Sequence, residues 1–133
     1  MIVDTSAVVA VIKREPGWEA IDRSLASASG PRMSAGTYLE LGIVVDQAGD
    51  PALSRQLDAL LRDWGVAIEP VTAGHAKTAR EAYRDFGRGS GHRARLNFGD
   101  CFAYALATET GEPLLFVGDD FAATDLPPAL NRG

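Results

Sequence analysis

Very short apolar stretches, each too brief for a helix, alternate along this chain with longer segments of helical period. Ile2-Val3, Arg32-Met33, 66–69 and 114–117 read as strands. Helices are expected over 7–13, 18–28, 34–47, from Asp50-Pro51 to Trp64, over 73–86 and over 98–110. A strand that reaches the next one only through a helix cannot close a tight hairpin. It pairs in parallel, and a parallel sheet needs cover on both faces. The expected fold class is α/β, with a small central parallel sheet and helices on both faces.

Local signals set the ends of these elements. Thr5 or Ser6 is the candidate N-cap of the first helix, and Glu15-Pro16-Gly17 stops it. Trp18, Ile21 and Leu25 share one face of the second. Pro51 suits a first helical position, and Leu53, Leu57, Leu60, Leu61 and Trp64 line one side of the helix it opens. Thr72 caps the helix over 73–86, with Ala76, Ala79, Tyr83 and Phe86 expected inward. Asn97 caps the last helix and Gly111 ends it. The helix over 34–47 is apolar on several sides (Leu39, Leu41, Ile43, Val44, Val45), which predicts burial on both flanks or a partner. The tail around Pro127-Pro128 carries no clear element.

With 133 residues, 46% hydrophobic and 23% charged, the chain suits a single domain over 1–133 and is not disordered in composition. Thirteen Lys and Arg stand against eighteen Asp and Glu, a net charge of −5. One broad basic face for nucleic acid would make the chain more basic than this. Any phosphate contact must be local, or carried by a metal ion. Cys101 is the only cysteine, so neither an intramolecular disulfide nor a thiolate zinc site is expected, and a reducing, cytoplasmic setting fits. No apolar run approaches the roughly 20 residues of a membrane helix. The first residues have neither a basic lead nor a small-residue cleavage site, so no signal peptide is expected.

In sheets of this kind ligands bind beyond the carboxyl ends of the strands. Asp4 ends the first strand there, and Asp119 follows the last. Glu40 and Asp100 lie inside apolar helix patterns, where an acid needs a partner. Each has a structural explanation. Thr37 to Glu40 matches a capping box, Asp100 suits the first turn of its helix, Asp4 can cap, and Asp119 and Asp120 suit a turn. As a set they point elsewhere. Four carboxylates converging on one rim repel strongly, and a hard divalent cation such as Mg²⁺ or Mn²⁺ is the usual remedy.

Met1-Ile2-Val3-Asp4-Thr5-Ser6-Ala7 resembles the opening of PIN-domain ribonucleases, specifically the VapC toxins of bacterial toxin–antitoxin pairs. Positions 34–40, 96–107 and 114–121 are similar to that family as well. Its four acids fall here on Asp4, Glu40, Asp100 and Asp119. Asp119 is preferred over its neighbour because Asp120-Phe121 resembles the family's Asp-Phe pair. Where the family often has Ser or Thr two residues before the fourth acid, this chain has Val117. The resemblance implies a PIN-like three-layer fold, a Mg²⁺- or Mn²⁺-dependent endoribonuclease, a VapB-type antitoxin as partner and commonly a homodimer. It implies Asp4 and Asp100 as the direct metal ligands, Glu40 and Asp119 as the remaining catalytic acids, and Thr5 and Ser6 in support.

The segment 84–95 leads straight into Asp100 and carries Arg84, Arg88, His92, Arg93 and Arg95. A cationic rim there, with Arg88, Arg93 and Arg95 as the candidate RNA contacts, would steer phosphates toward the acids. Its Gly87-Arg88-Gly89-Ser90-Gly91 run is no dinucleotide fingerprint, because His92 stands where Gly or Ala is needed. His75 and His92 pair with no Ser or Cys nucleophile by known spacing. The main rival function is a non-catalytic regulatory or protein-interaction module of the same fold, its acids serving only as caps.

Overall fold

The computed structural model describes residues 1–130. Positions 131–133 of the expected single domain lie outside the described residues. In chain order the elements are β1 (Ile2–Val3), α1 (Thr5–Ile12), α2 (Trp18–Ser27), β2 (Arg32–Ser34), α3 (Ala35–Asp46), α4 (Pro51–Asp63), β3 (Ala67–Glu69), α5 (Ala73–Phe86), α6 (Phe98–Thr110) and β4 (Leu114–Leu115). The strands form one sheet in the order β3-β2-β1-β4, and every neighbouring pair is parallel.

Strands this short carry the core because successive side chains alternate between faces. Ile2 and Leu114 pack with Ala82 of α5 and with Cys101, Ala103, Leu106 and Ala107 of α6. Val3 and Leu115, their immediate neighbours, pack on the other face with α1 to α4 through Val8, Leu25, Leu41, Leu57 and Trp64. Around the start of β1 and β2, Glu112 pairs with the Met1 amine at 2.6 Å and with Arg32. The opposite rim, beyond the carboxyl ends of the strands, carries the acids.

The structure corrects several expected boundaries, each for a local reason. Asp4, not Thr5 or Ser6, is the N-cap of α1, because its Oδ2 accepts from the Ser6 N–H at 3.0 Å. The strand expected over 114–117 ends at Leu115, since the Val117 N–H donates to Ser6 Oγ at 3.0 Å. The buried face of α5 runs through Ala79, Ala82 and Phe86, leaving Tyr83 43% exposed. On α3 only one face is covered. Leu41 and Val45 are buried, while Leu39 is 63% exposed and Tyr38, Ile43 and Val44 also face outward. Of the two readings of that helix, burial on both flanks does not hold. None of the helices among the described residues is long and apolar enough to cross a membrane.

Candidate functional site

Two strands deliver residues to the rim by ending abruptly in helices. β1 passes into α1 at Asp4, and β2 into α3 at Ser34, whose Oγ accepts from the Gly36 N–H at 3.2 Å. Asp4 is buried. Both its backbone and its Oδ2 are held, the latter by the Ser6 N–H and by Ser6 Oγ at 2.6 Å. Its other oxygen, Oδ1, is buried with no hydrogen-bond partner. Burial pushes its carboxyl up to about 6. The Ser6 bonds oppose that rise and the Glu40 charge adds to it.

Asp100 repeats the arrangement at the start of α6. Its Oδ2 accepts from the Asn97 N–H at 2.9 Å, while Asn97 Oδ1 accepts from the Asp100 N–H at 2.8 Å. The capping explanation therefore holds for this acid, but it accounts for one carboxylate oxygen only. Burial pushes the Asp100 carboxyl up to about 7 against the Asn97 bond, with the charges of Asp4, Asp120 and Glu40 adding to the rise. The capping box at Thr37 to Glu40 does not form, because α3 already begins at Ala35 under the Ser34 cap. Glu40 instead lies one turn further on, with Oε1 accepting from Thr5 Oγ1 at 2.6 Å.

Asp4, Glu40 and Asp100 thus share one electrostatic field. The charge of Asp120 also acts on Asp100. Asp119 lines a cleft of about 410 Å³ with Phe116, Leu126 and Pro128. The expectation preferred Asp119, and both neighbours lie exposed on the turn that follows β4. No Lys, Arg or His among the described residues forms an ion pair with Asp4, Glu40, Asp100, Asp119 or Asp120.

Oxygen-only donors, unbalanced negative charge and a buried orphan carboxylate oxygen fit a hard divalent cation. The set is not a finished cage. Among the described residues no three His, Cys, Asp or Glu side chains close around one point.

The remaining candidates lie beside this centre or serve packing. Arg88, Arg93 and Arg95 are exposed and outside every ion pair among the described residues, whereas Arg84 is tied to Asp85 at 2.9 Å. Buried Ala94 and Leu96 pin their loop, with Leu96 N–H donating to the Phe86 carbonyl at 2.8 Å. His75 closes a capping box with Thr72, and His92 accepts from the Ala94 N–H at 3.0 Å and meets Phe86 edge-on. Cys101 is buried, its thiol pushed up to about 11 by burial, and serves as packing. Two features of the site were not expected from sequence. One is the bridge from Asp4 through Ser6 Oγ to the Val117 N–H. The other is the closeness of Glu40 to Gly99, where a β-carbon would overlap the carboxylate.

Comparison with known proteins bears on the family and the fold. Residues 1–126 match the PIN domain family. Ribonuclease VapC42 of Mycobacterium tuberculosis is 52% identical over 129 residues, covering 97% of this chain and 98% of the relative. Ribonuclease VapC28 of the same organism is 52% identical over 132 residues, covering 99% of each. Among solved structures, Mycobacterium tuberculosis VapC20, described as a sarcin-ricin loop cleaving toxin, superposes with a TM-score of 0.72 at 21% identity over 94% of this chain and 95% of that one. A toxin–antitoxin complex from Klebsiella pneumoniae gives a TM-score of 0.68 at 14% identity, over 93% of this chain and 92% of that one. The last two speak to the fold, and the first two to descent: the chain belongs to the PIN-domain family, among the VapC ribonucleases.

Proposed function

We propose that this protein is a Mg²⁺- or Mn²⁺-dependent endoribonuclease that hydrolyses RNA phosphodiesters as the toxin of a type II toxin–antitoxin pair. The observation that carries the reading is Asp4 Oδ1, a buried and unpartnered carboxylate oxygen amid acids that pair with no cation among the described residues. Its relatives named as ribonucleases, at 52% identity, support the same chemistry.

Asp4 and Asp100 would hold the ion, each with one oxygen already fixed by a helix start. Glu40 and the Asp119–Asp120 pair would complete the negative set. When bound, the ion supplies neutralisation of phosphate charge and activation of water. The chain's own part is to keep the acids aimed. Thr5 fixes Glu40, Ser6 fixes Asp4, and the Asn97 N–H fixes Asp100. Fixed dipoles and held rotamers need no rearrangement when a phosphate arrives.

The same reading implies three partners: RNA, a VapB-type antitoxin and a second copy of the chain. Exposed Tyr38, Leu39, Ile43 and Val44 on α3, and Tyr83 and Phe98 on α5 and α6, are apolar surface suited to protein partners.

Arg93→Ala combined with Arg95→Ala is expected to weaken RNA binding and flatten its salt dependence. Each lost single-strand phosphate contact lowers the log–log slope by about 0.7. Filter binding across a salt series reads this, and an unchanged slope removes the loop from the binding face.

The deciding assay is incubation of purified total RNA with antitoxin-free protein in Mg²⁺, in Mn²⁺ and in EDTA, beside Asp100→Asn. Discrete cuts that need the ion and vanish in the variant are expected. Equal cutting by variant and wild type would mark a contaminant. Folded protein that cuts nothing under any of these conditions would favour the non-catalytic module.

A further inference from the structure

Helices α3 and α6 meet at the acidic rim, and each presents a glycine to a large side chain of the other. The Phe102 ring lies on Gly36, so that a β-carbon at Gly36 would overlap the ring and come within 2.8 Å of its Cδ2. The Glu40 carboxylate lies on Gly99 in the same way. A β-carbon there would overlap Oε2 and Cδ and sit 2.9 Å from Oε1. Gly36 and Glu40 are one turn apart on α3, and Gly99 and Phe102 one turn apart on α6. The two contacts therefore form a reciprocal clasp.

Neither glycine is needed for its backbone. Gly36 and Gly99 are absent from the left-handed positions of the chain, and both lie in the first turn of a helix, where alanine takes the same backbone conformation and restricts the unfolded chain. Gly42, on the same helix as Glu40, shows the contrast, since a β-carbon there would meet nothing within 4 Å. At Gly99 the three nearest atoms are all those of the Glu40 carboxylate.

We infer that Gly99 is a positioning residue: the absence of its side chain is the socket that seats the Glu40 carboxylate against the start of α6, next to Asp100. The Thr5 hydroxyl holds Glu40 Oε1 from one side, and the bare Gly99 backbone receives Oε2 on the other. With a methyl group at position 99, Glu40 must leave this seat or α3 must separate from α6. Packed interiors do not absorb such overlap without movement. The inference rests on the reading of Glu40 as part of the nuclease centre, but its first test needs neither metal nor RNA.

Gly99→Ala, Glu40→Ala, the double variant and Gly42→Ala would be compared by thermal unfolding in EDTA, then by calorimetric titration with Mn²⁺. Alone, Gly99→Ala is expected to lower Tm. In the Glu40→Ala background the same methyl group enters vacated space, so its restriction of the unfolded chain should raise Tm. That reversal of sign is the signature of the seat. Mn²⁺ affinity should fall by about tenfold or more in Gly99→Ala, the scale for disturbed supporting residues. It should fall no further in the double variant than in Glu40→Ala, and Gly42→Ala should bind as wild type does.

A Gly99→Ala protein with wild-type Tm and Mn²⁺ affinity overturns the inference, as does an equal loss of Tm in both backgrounds. Should the single variant not fold, the comparison of Glu40→Ala with the double variant still decides the matter. Reversal of the Tm effect in a protein that binds no Mn²⁺ would uphold the seat while removing the metal from the proposed function.

Discussion

Asp4→Asn is expected to leave a protein that cuts RNA at least a thousand times more slowly and yet unfolds at a higher temperature in EDTA at neutral pH. The two effects have one cause. Asp4 is buried, with one oxygen bonded to Ser6 and the other unpartnered, and its carboxyl is pushed up to about 6. Holding it ionised at pH 7.5 without a counter-charge costs the fold about 3 kcal/mol, from ~1.4 kcal/mol per pKa unit. Asparagine has the same shape, keeps an oxygen for the Ser6 N–H, and carries no charge. The gain at pH 7.5 should be about 1–3 kcal/mol, less than the full amount because a buried polar atom still lacks a partner. At pH 4.5 the carboxyl is protonated in the fold but still mostly ionised in the unfolded chain, so the cost falls to about 1 kcal/mol and the gain should shrink by about 2 kcal/mol. A metal ion's contribution to phosphate chemistry is worth several kcal/mol. Losing about 4 kcal/mol of it gives roughly a thousandfold in rate. Cleavage rates and urea midpoints at both pH values check the pair of effects. A variant that cuts like wild type, or that is destabilised at pH 7.5, would remove Asp4 from the proposed centre.

Much of the architecture is legible because it rests on short-range chemistry. Pro51 after Asp50, Asn97 ahead of α6 and Gly111 behind it are local signals, and the helices begin and end where they say. The parallel sheet follows from alternation alone. What local reading misplaces is set by contacts across the fold. Asp4 caps α1 because its own oxygen takes the Ser6 N–H, while the Thr5 hydroxyl is drawn away to Glu40 and the Ser6 hydroxyl to Asp4 and Val117. The end of β4 is decided by Ser6, 111 residues earlier in the chain, taking the Val117 N–H. Tyr83 and Ala82 exchange their expected places because the way α5 lies on α6 selects the stripe of Ala79, Ala82 and Phe86.

The acids of the site are legible for a different reason. Carboxylates among apolar neighbours, or at strand ends, stand out wherever the chain needs no acid to fold. The pattern shows which residues converge without showing how. Asp119 and Asp120 differ by one position on a turn after Gly118, whose φ of 102° only glycine adopts with ease. Which of the two points toward Asp100 is a matter of backbone direction that composition does not carry. Gly99 is hidden for the opposite reason. A glycine in a helix looks like a weak residue, and its use emerges only once Glu40 arrives from another helix.

Metal-free wild-type protein is expected to be most stable near pH 4 and to lose stability as the pH rises to about 7, the reverse of ordinary acid denaturation. Asp4 and Asp100 have unfolded values near 3.8 and are pushed up to about 6 and about 7 in the fold. Between those limits the folded state holds more protons than the unfolded chain, so each step up in pH favours unfolding. The stability these groups confer is fully present below about 3.8 and is lost as the pH climbs through 6 and 7. Asp4 alone accounts for about 3 kcal/mol of that loss, and Asp100 adds to it. Glu112 works in the other direction. The Met1 amine and Arg32 hold its carboxyl below the usual range, so its contribution disappears as the pH falls through that lowered value, and stability drops again in stronger acid. A divalent cation changes the slope at the upper end only. It binds the ionised acids of the fold, and at one hundred times its dissociation constant it returns about 2.7 kcal/mol. Saturating Mg²⁺ should therefore raise Tm at pH 7.5 by several degrees and leave it almost unmoved at pH 4.5. Stability that instead rises steadily from pH 5 to 7.5 in EDTA would mean that the two carboxyls are not buried against like charge. A Mg²⁺ response equal at both pH values would mean that the ion binds somewhere other than these acids.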